Sequence, residues 1–180
     1  NDSTIKSLRD AVPQDAVVCV VGWPTTVLNA LATRSDVKLF VVESNGDGDA
    51  AVERLVSMDV DATLVQFEEL ARAVSRCDVL IVEALAAGPT EVLCISGSYA
   101  VAALGYVMQK PVWLVTACGT RLPAPLWLAM IAGDAINEVD LLSSSLFSRV
   151  ISKDGISDDL SQPFAAECPP TTELLRHSAM

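Results

Sequence analysis

Positive charge is scarce in this sequence: lysine and arginine number 12 against 23 acids, giving a net charge of −11 and an isoelectric point near 4.3. Binding to a phosphate backbone needs clustered Lys and Arg, so nucleic acid is excluded as a principal direct partner. Histidine is rarer still. The one copy, His177, stands at the extreme C-terminus, where we expect it in solvent, and a His-dependent triad or a zinc site built on several histidines is excluded for this segment. The five cysteines (Cys19, Cys77, Cys94, Cys118, Cys168) form no C-x-x-C pair and are odd in number. Buried, reduced thiols in a cytoplasmic protein are the expectation, with no metal and no cofactor. The apolar runs at 16–22, 37–42, 79–82 and 112–115 are of strand length, far short of the roughly twenty residues of a bilayer span, so no membrane association is expected. Asn1 opens the chain with no charged-then-apolar leader pattern, so we expect no signal peptide and a segment from within a longer protein. No internal repeat or low-complexity tract is evident.

What is present is hydrophobic content of 51% in 180 residues, enough for a sizeable core in one domain. Short Val/Ile/Leu runs alternate with helical patterns, as in parallel strands buried on both faces and joined by crossover helices. We expect strands at 16–21, 38–43, 61–65, 79–82 and 112–116. The helices between them run from Thr25 or Thr26 to before Asp36, over 49–58, over 67–75, and from Gly97 to the Gln109-Lys110-Pro111 break. The loop expected after the fourth strand holds Ala86-Ala87-Gly88-Pro89. Right-handed crossovers make this an α/β, Rossmann-like doubly wound parallel sheet with loops gathered at the strands' carboxyl ends. Beyond residue 120 the periodicity weakens and proline and serine punctuate the chain. Residues 1–120 are thus read as the core and 121–180 as a C-terminal arm of the same domain, packing on the core or on a partner subunit.

Gly97, Ser98 and Tyr99 open an alanine-rich helix. Such a start gathers unpaired N–H groups at the positive end of a dipole and can seat phosphate or carboxylate, or it can be an ordinary N-cap. The loop from Glu43 and Ser44 to Asp49 follows a strand and contains glycine, but its three acids repel an anion and match a Ca²⁺ loop poorly, so a solvated loop is expected. Gly22, before Trp23, begins no G-x-G-x-x-G fingerprint. Glu83, at a strand end, stands where an acid or base often works in α/β enzymes, but no partner His or Lys is near it in sequence, which favours a structural or interface role.

In order and spacing these elements resemble the carboxyl-terminal domain of the translation initiation factor 2B alpha/beta/delta family, whose relatives include methylthioribose-1-phosphate isomerase and ribose-1,5-bisphosphate isomerase. Residues 20–28 (VVGWPTTVL) are similar to the family's T-H-S-Y-S-x-T-V-L, and Phe40-Val41-Val42-Glu43-Ser44 to its V-x-E-S or V-x-E-T. The run at 77–84 (CDVLIVEA) is similar to D-x-V-L-V-G-A, and Gly97-Ser98-Tyr99 to G-T-Y. Lys110-Pro111-Val112-Trp113 is similar to K-P-F-Y, and residues 167–175 to the closing D-x-T-P-P-E-L-I-T.

The departures bear on function. The isomerases' catalytic cysteine falls on Gly22 and their catalytic aspartate on Leu85, neither of which can transfer a proton. The arginine after E-T is Asn45, and the Asn-Lys before Ile-Gly-Thr-Tyr becomes Cys94-Ile95 before Ser96. The resemblance therefore implies a non-catalytic beta- or delta-like subunit with no catalytic residue. Gly22, Trp23, Glu43, Ser44, Glu83, Gly97, Ser98 and Tyr99 would line a vestigial or sensing pocket. It implies homologous subunits as partners through this domain, with initiation factor 2 an indirect partner. Isomerisation of an aldose 1-phosphate, with Glu83 as a stand-in acid, and sensing of a sugar phosphate or nucleotide are the alternatives. Trp113, Leu126, Trp127, Met130 and Ile131 crowd the fifth strand and the segment after it, and are expected at the association face.

Overall fold

The chain is described by a computed structural model covering residues 2–133, 138–160 and 164–170. Five of its strands run where the Val/Ile/Leu pattern places them: β1 (Val17–Val21), β2 (Lys38–Val42), β3 (Asp61–Val65), β4 (Val79–Ala87) and β6 (Val112–Val115). Between β4 and β6 lies β5 (Glu91–Ile95), and beyond residue 120 come β7 (Val139–Ser143), β8 (Arg149–Ser152) and β9 (Gly155–Ser157). The helices are α1 (Asp2–Ala11), α2 (Thr25–Leu31), α3 (Asp47–Val56), α4 (Leu70–Arg76), α5 (Ser98–Val107) and α6 (Ala124–Ile131). The principal sheet has the order β3-β2-β1-β4-β6-β8-β9. It is parallel from β3 to β8 and closes with the antiparallel β8–β9 hairpin. This is a Rossmann-like α/β fold, as the alternation of patterns led us to expect.

Each central strand is apolar on both sides because each side meets helices. Val18 and Val20 of β1 point into a core shared with Leu8 of α1, Val12 just after it, Val27 and Leu31 of α2, and Ala51 and Leu55 of α3. Cys19 and Val21 point the other way, toward Leu70 and Val74 of α4 and Val101 and Ala102 of α5. The two-residue period of the strand thus divides one apolar run between two cores.

The expected loop at Ala86-Ala87 is a finding of a different kind. β4 continues through Ala87, and its second half pairs antiparallel with β5, with a register irregularity between Ala84 and Ala86. β5 in turn pairs antiparallel with β7, Leu93 standing opposite Leu141 and Cys94 opposite Asp140. A Gly-Pro turn after a strand reads as a loop when the strand's continuation is a run of small alanines, and this hairpin was hidden for that reason. Residues beyond 120 supply α6 and the three strands β7 to β9 to the same sheet system. Arg121 fastens their ends: it pairs with Asp154 in the β8–β9 turn and with Glu167, whose carboxylate also accepts the Gly119 N–H at 2.6 Å. Residues 162–163, the motif positions 171–175 and His177 lie outside the described residues.

Candidate functional site

The strand order reverses between β1 and β4: the chain steps from β1 outward to β2 and β3, then returns across β1 to β4. In open α/β sheets a crevice forms at this point, outside the strands' carboxyl ends. The residues singled out in the sequence converge there. Gly22 and Trp23 follow β1, Glu43 and Ser44 follow β2, Glu83 is within β4, and Gly97, Ser98 and Tyr99 begin α5. All of them except Gly22 border one or other of two hollows. One, of about 100 Å³, is lined by Val21, Trp23, Pro24, Thr25, Glu83, Ala84, Leu85, Ile95 and Ser98. The other is more open, about 480 Å³, with Glu43, Ser44, Asn45, Gly97, Tyr99 and Asp140 on its walls. Among the described residues no Lys, Arg or His lines either hollow.

Helix N-termini aimed into such a crevice ordinarily offer N–H groups to an anionic ligand. Here three of them face carboxylates of the chain itself. Glu83 accepts the Thr26 N–H at 2.9 Å and the Val27 N–H at 3.2 Å, and its other oxygen takes a second, 3.1 Å contact from Thr26. Pro24, which starts this helix, has no side-chain donor or acceptor to act as a cap, so a residue from β4 does so. Glu43 accepts from Gly46 and, at 3.2 Å, from Asp49 in the first turn of α3. Asp140, from β7, accepts the Tyr99 N–H of α5 at 2.8 Å. Each carboxylate gains from the positive end of a helix dipole and occupies a position an anion would need.

These acids leave the crevice electronegative. Burial pushes the Glu83 carboxyl above its ordinary range, while hydrogen bonds from Thr26 and Val27 pull the other way. The buried Cys94 thiol is pushed up first by burial and then by the charges of Asp140 and Glu83, which keeps it protonated and unreactive. Among the described residues no group of three His, Cys, Asp or Glu could hold a metal ion.

Gly22 and Leu85, the two positions that the resemblance to the isomerases singles out, are also described. Gly22 has φ +56°, and a Cβ there would come within 2.6 Å of Ile95 Cδ1 and 3.2 Å of Ser44 Cβ. Leu85 is half-exposed at the mouth of the smaller hollow. Ser44 is buried and donates to the Ser96 carbonyl at 2.8 Å, joining the β2 loop to the turn before α5. Asp140 escaped the sequence reading because it lies 41 residues from Tyr99, in a segment without strong periodicity, and only the β5–β7 pairing brings it back.

Of the residues expected at an association face, Trp113 and Trp127 are buried within the chain. Arg149 stacks over the Trp113 ring at 4.8 Å, and Trp127 fills a small core with Ala86 and Leu93. Leu126 and Ile131 are half-buried, and Met130 is exposed together with the neighbouring Leu128.

Compared by sequence, the chain matches no family model and no curated protein. Compared by structure, it is similar to eIF2B beta from Chaetomium thermophilum, with a TM-score of 0.71, 17% identity, and coverage of 87% of this chain and 49% of that one. It is similar as well to a Pyrococcus horikoshii OT3 translation initiation factor eIF-2B, with a TM-score of 0.74, 12% identity, and coverage of 89% and 64%. For the delta subunit of eIF-2B from A. fulgidus the TM-score is 0.70 at 12% identity, with coverage of 86% and 56%. The chain shares their fold. It spans between about half and just under two thirds of their lengths.

Among the described residues no helix is long and apolar enough to cross a membrane.

Proposed function

We propose that this chain acts through assembly, as a non-catalytic regulatory or scaffold subunit of the initiation factor 2B type. In this reading it pairs with homologous subunits through this domain and supports guanine-nucleotide exchange on initiation factor 2 within the cytoplasmic complex, while the exchange catalyst is another subunit. The observation that carries the reading is the placement of Glu83, Glu43 and Asp140 at the helix N-termini of the crevice. An aldose-1-phosphate isomerase needs an anion seat, a thiol and an acid in that crevice. Here the seats hold carboxylates, and the thiol and acid positions are Gly22 and Leu85. Glu83 does not readily replace the missing acid, because both of its oxygens already accept backbone N–H groups of α2. The structural likeness to beta and delta subunits, one of them within a structure described as the tetrameric eIF2B-beta2-delta2 complex from C. thermophilum, supports the same direction.

The test is reconstitution. The chain, in its full-length protein, is mixed with homologous subunits and followed by mass measurement and by GDP release from initiation factor 2. The expected outcome is a stable complex, with no acceleration of GDP release by the chain alone. Acceleration by the isolated chain, or failure to join any homologous subunit, would contradict the reading.

A further inference from the structure

The principal sheet has an open edge at β3, which pairs with β2 and with no other described strand. Its register with β2 runs unbroken from Asp61 to Val65, with no proline and no bulge to blunt it. The Val65 carbonyl accepts the Glu43 N–H at 3.0 Å, so Asp61, Thr63 and Val65 turn their backbone groups toward β2. By the alternation of a parallel ladder, Ala62 and Leu64 turn theirs outward. Among the described residues no backbone group of another element bonds them there. A strand edge in this state is a template for a further strand.

The surface beside the edge defines what that strand carries. α4 forms one wall of a groove of about 120 Å³, whose lining includes Phe40, Thr63, Glu69, Arg72 and Arg76. Thr63 stands opposite Phe40, and Arg76 and Lys38 lie over the Phe40 ring at 5.7 and 5.9 Å, so the cations share one face of the sheet with Thr63. Lys38 is paired with Asp61. Arg72 and Arg76 are exposed, and neither has a carboxylate partner among the described residues, in a chain whose net charge is −11. Unpaired guanidinium groups beside an open strand select an acidic partner. Four residues of helix advance about 6 Å, and two residues of strand advance about 6.6 Å. Carboxylates at alternate positions of an added strand therefore meet Arg72 and Arg76 in step. Glu69, which closely follows the end of β3, repels acid at that end of the groove and leaves the two arginines as the seat.

We propose that the β3 edge docks an extended acidic segment of a partner protein, which adds a strand through the backbone groups of Ala62 and Leu64 and sets carboxylates at alternate positions against Arg72 and Arg76. The inference does not rest on the assembly reading, because neither β3 nor α4 carries a residue expected at the association face.

The experiment is a ¹H–¹⁵N NMR titration of the protein, with amide hydrogen exchange, using a short synthetic peptide in which Glu alternates with Val. The expected result is saturable movement of the Ala62 and Leu64 amide signals, with half-saturation at or below about a millimolar, and slowed exchange of both amides in the complex. Arg72→Glu combined with Arg76→Glu, at exposed positions where the fold is kept, should weaken binding about tenfold, as two exposed ion pairs turn to repulsion. A peptide of the same composition with its glutamates consecutive leaves the protein unaltered and should bind more weakly. No saturable movement, unchanged binding by the double variant, or equal binding of the shuffled peptide would overturn the proposal. Equal binding of a single-stranded oligonucleotide would also overturn it, making the patch a surface for any polyanion. So would slow exchange of Ala62 and Leu64 in the free protein that deepens with protein concentration, which would give the edge to a second copy.

Discussion

Asp140 and Tyr99 are joined by a 2.8 Å hydrogen bond from the Tyr99 backbone N–H to the Asp140 carboxylate, so that β7 supplies the anion at the start of α5. Removing the carboxylate frees the N–H and the positive end of the helix together. For Asp140→Ala we expect a loss of about 1 kcal/mol in chemical denaturation, the usual worth of a cap. We also expect weak, saturable movement of the Tyr99 amide signal with inorganic phosphate, which the unaltered protein should not show. Phosphate binding that is equal in both proteins would mean that Asp140 does not guard this helix.

Two acids should respond to pH in opposite directions. The Arg34 guanidinium grips Asp36 at 2.7 and 2.6 Å and holds its carboxyl at about 2, below the ordinary 3.8. Its contribution to stability is therefore complete above 3.8 and is lost as pH falls through that value toward about 2. Glu83 is raised by burial, so its contribution is greatest below the ordinary 4.5 and declines as pH rises through its folded value. Carboxyl NMR titration should show Asp36 protonating late and Glu83 early as acid is added. In denaturation across the same range, Asp36→Asn should remove the loss at low pH and Glu83→Gln should flatten the decline at higher pH.

Placing a thiol at Gly22 should fail for a steric reason. At Gly22, φ +56° already costs a side chain about 1–2 kcal/mol, and its Cβ would meet Ile95 at 2.6 Å. Gly22→Cys should therefore lower stability by at least about 1 kcal/mol. It should give no turnover of methylthioribose-1-phosphate, either alone or with Leu85→Asp. Denaturation and a product assay check both parts.

Most of the sheet was legible because a parallel strand buried on both faces leaves an apolar run that nothing else in a short segment explains: Val17–Val21, Lys38–Val42 and Val112–Val115 stand where the pattern put them. The convergence of Gly22, Glu43 and Glu83 at one end of the sheet was legible too, since each follows an expected parallel strand, whereas Gly97 follows the antiparallel β5, which the pattern did not reveal. The roles of the acids were not. Glu83 shows its cap only when α2 is folded beside β4, and Asp140 only when β7 pairs with β5. The β4–β5 hairpin was obscured by alanines, whose small side chains carry little of the two-residue alternation.

Trp127 and Met130 share α6 but should behave differently. The Trp127 ring packs so closely on Gly88 that a Cβ there would lie 2.3 Å from it. Trp127→Ala should cost about 3–5 kcal/mol, and Gly88→Ala about 1–3 kcal/mol through overpacking. Met130, exposed beside Leu128, is available to a neighbour. Met130→Glu should leave stability within about 0.5 kcal/mol while weakening association, if this face pairs as proposed. Denaturation and sedimentation of the same samples separate the two effects.

The most direct measurement is calorimetric titration of the protein with methylthioribose-1-phosphate and ribose-1,5-bisphosphate, with the reaction mixtures analysed for product. With carboxylates at the helix N-termini, and Gly22 and Leu85 where the isomerase reading would require a thiol and an acid, we expect neither saturable heat nor product. Saturable heat with conversion to the isomer would contradict a non-catalytic role, and heat without conversion would make the crevice a sugar-phosphate sensor despite its acids.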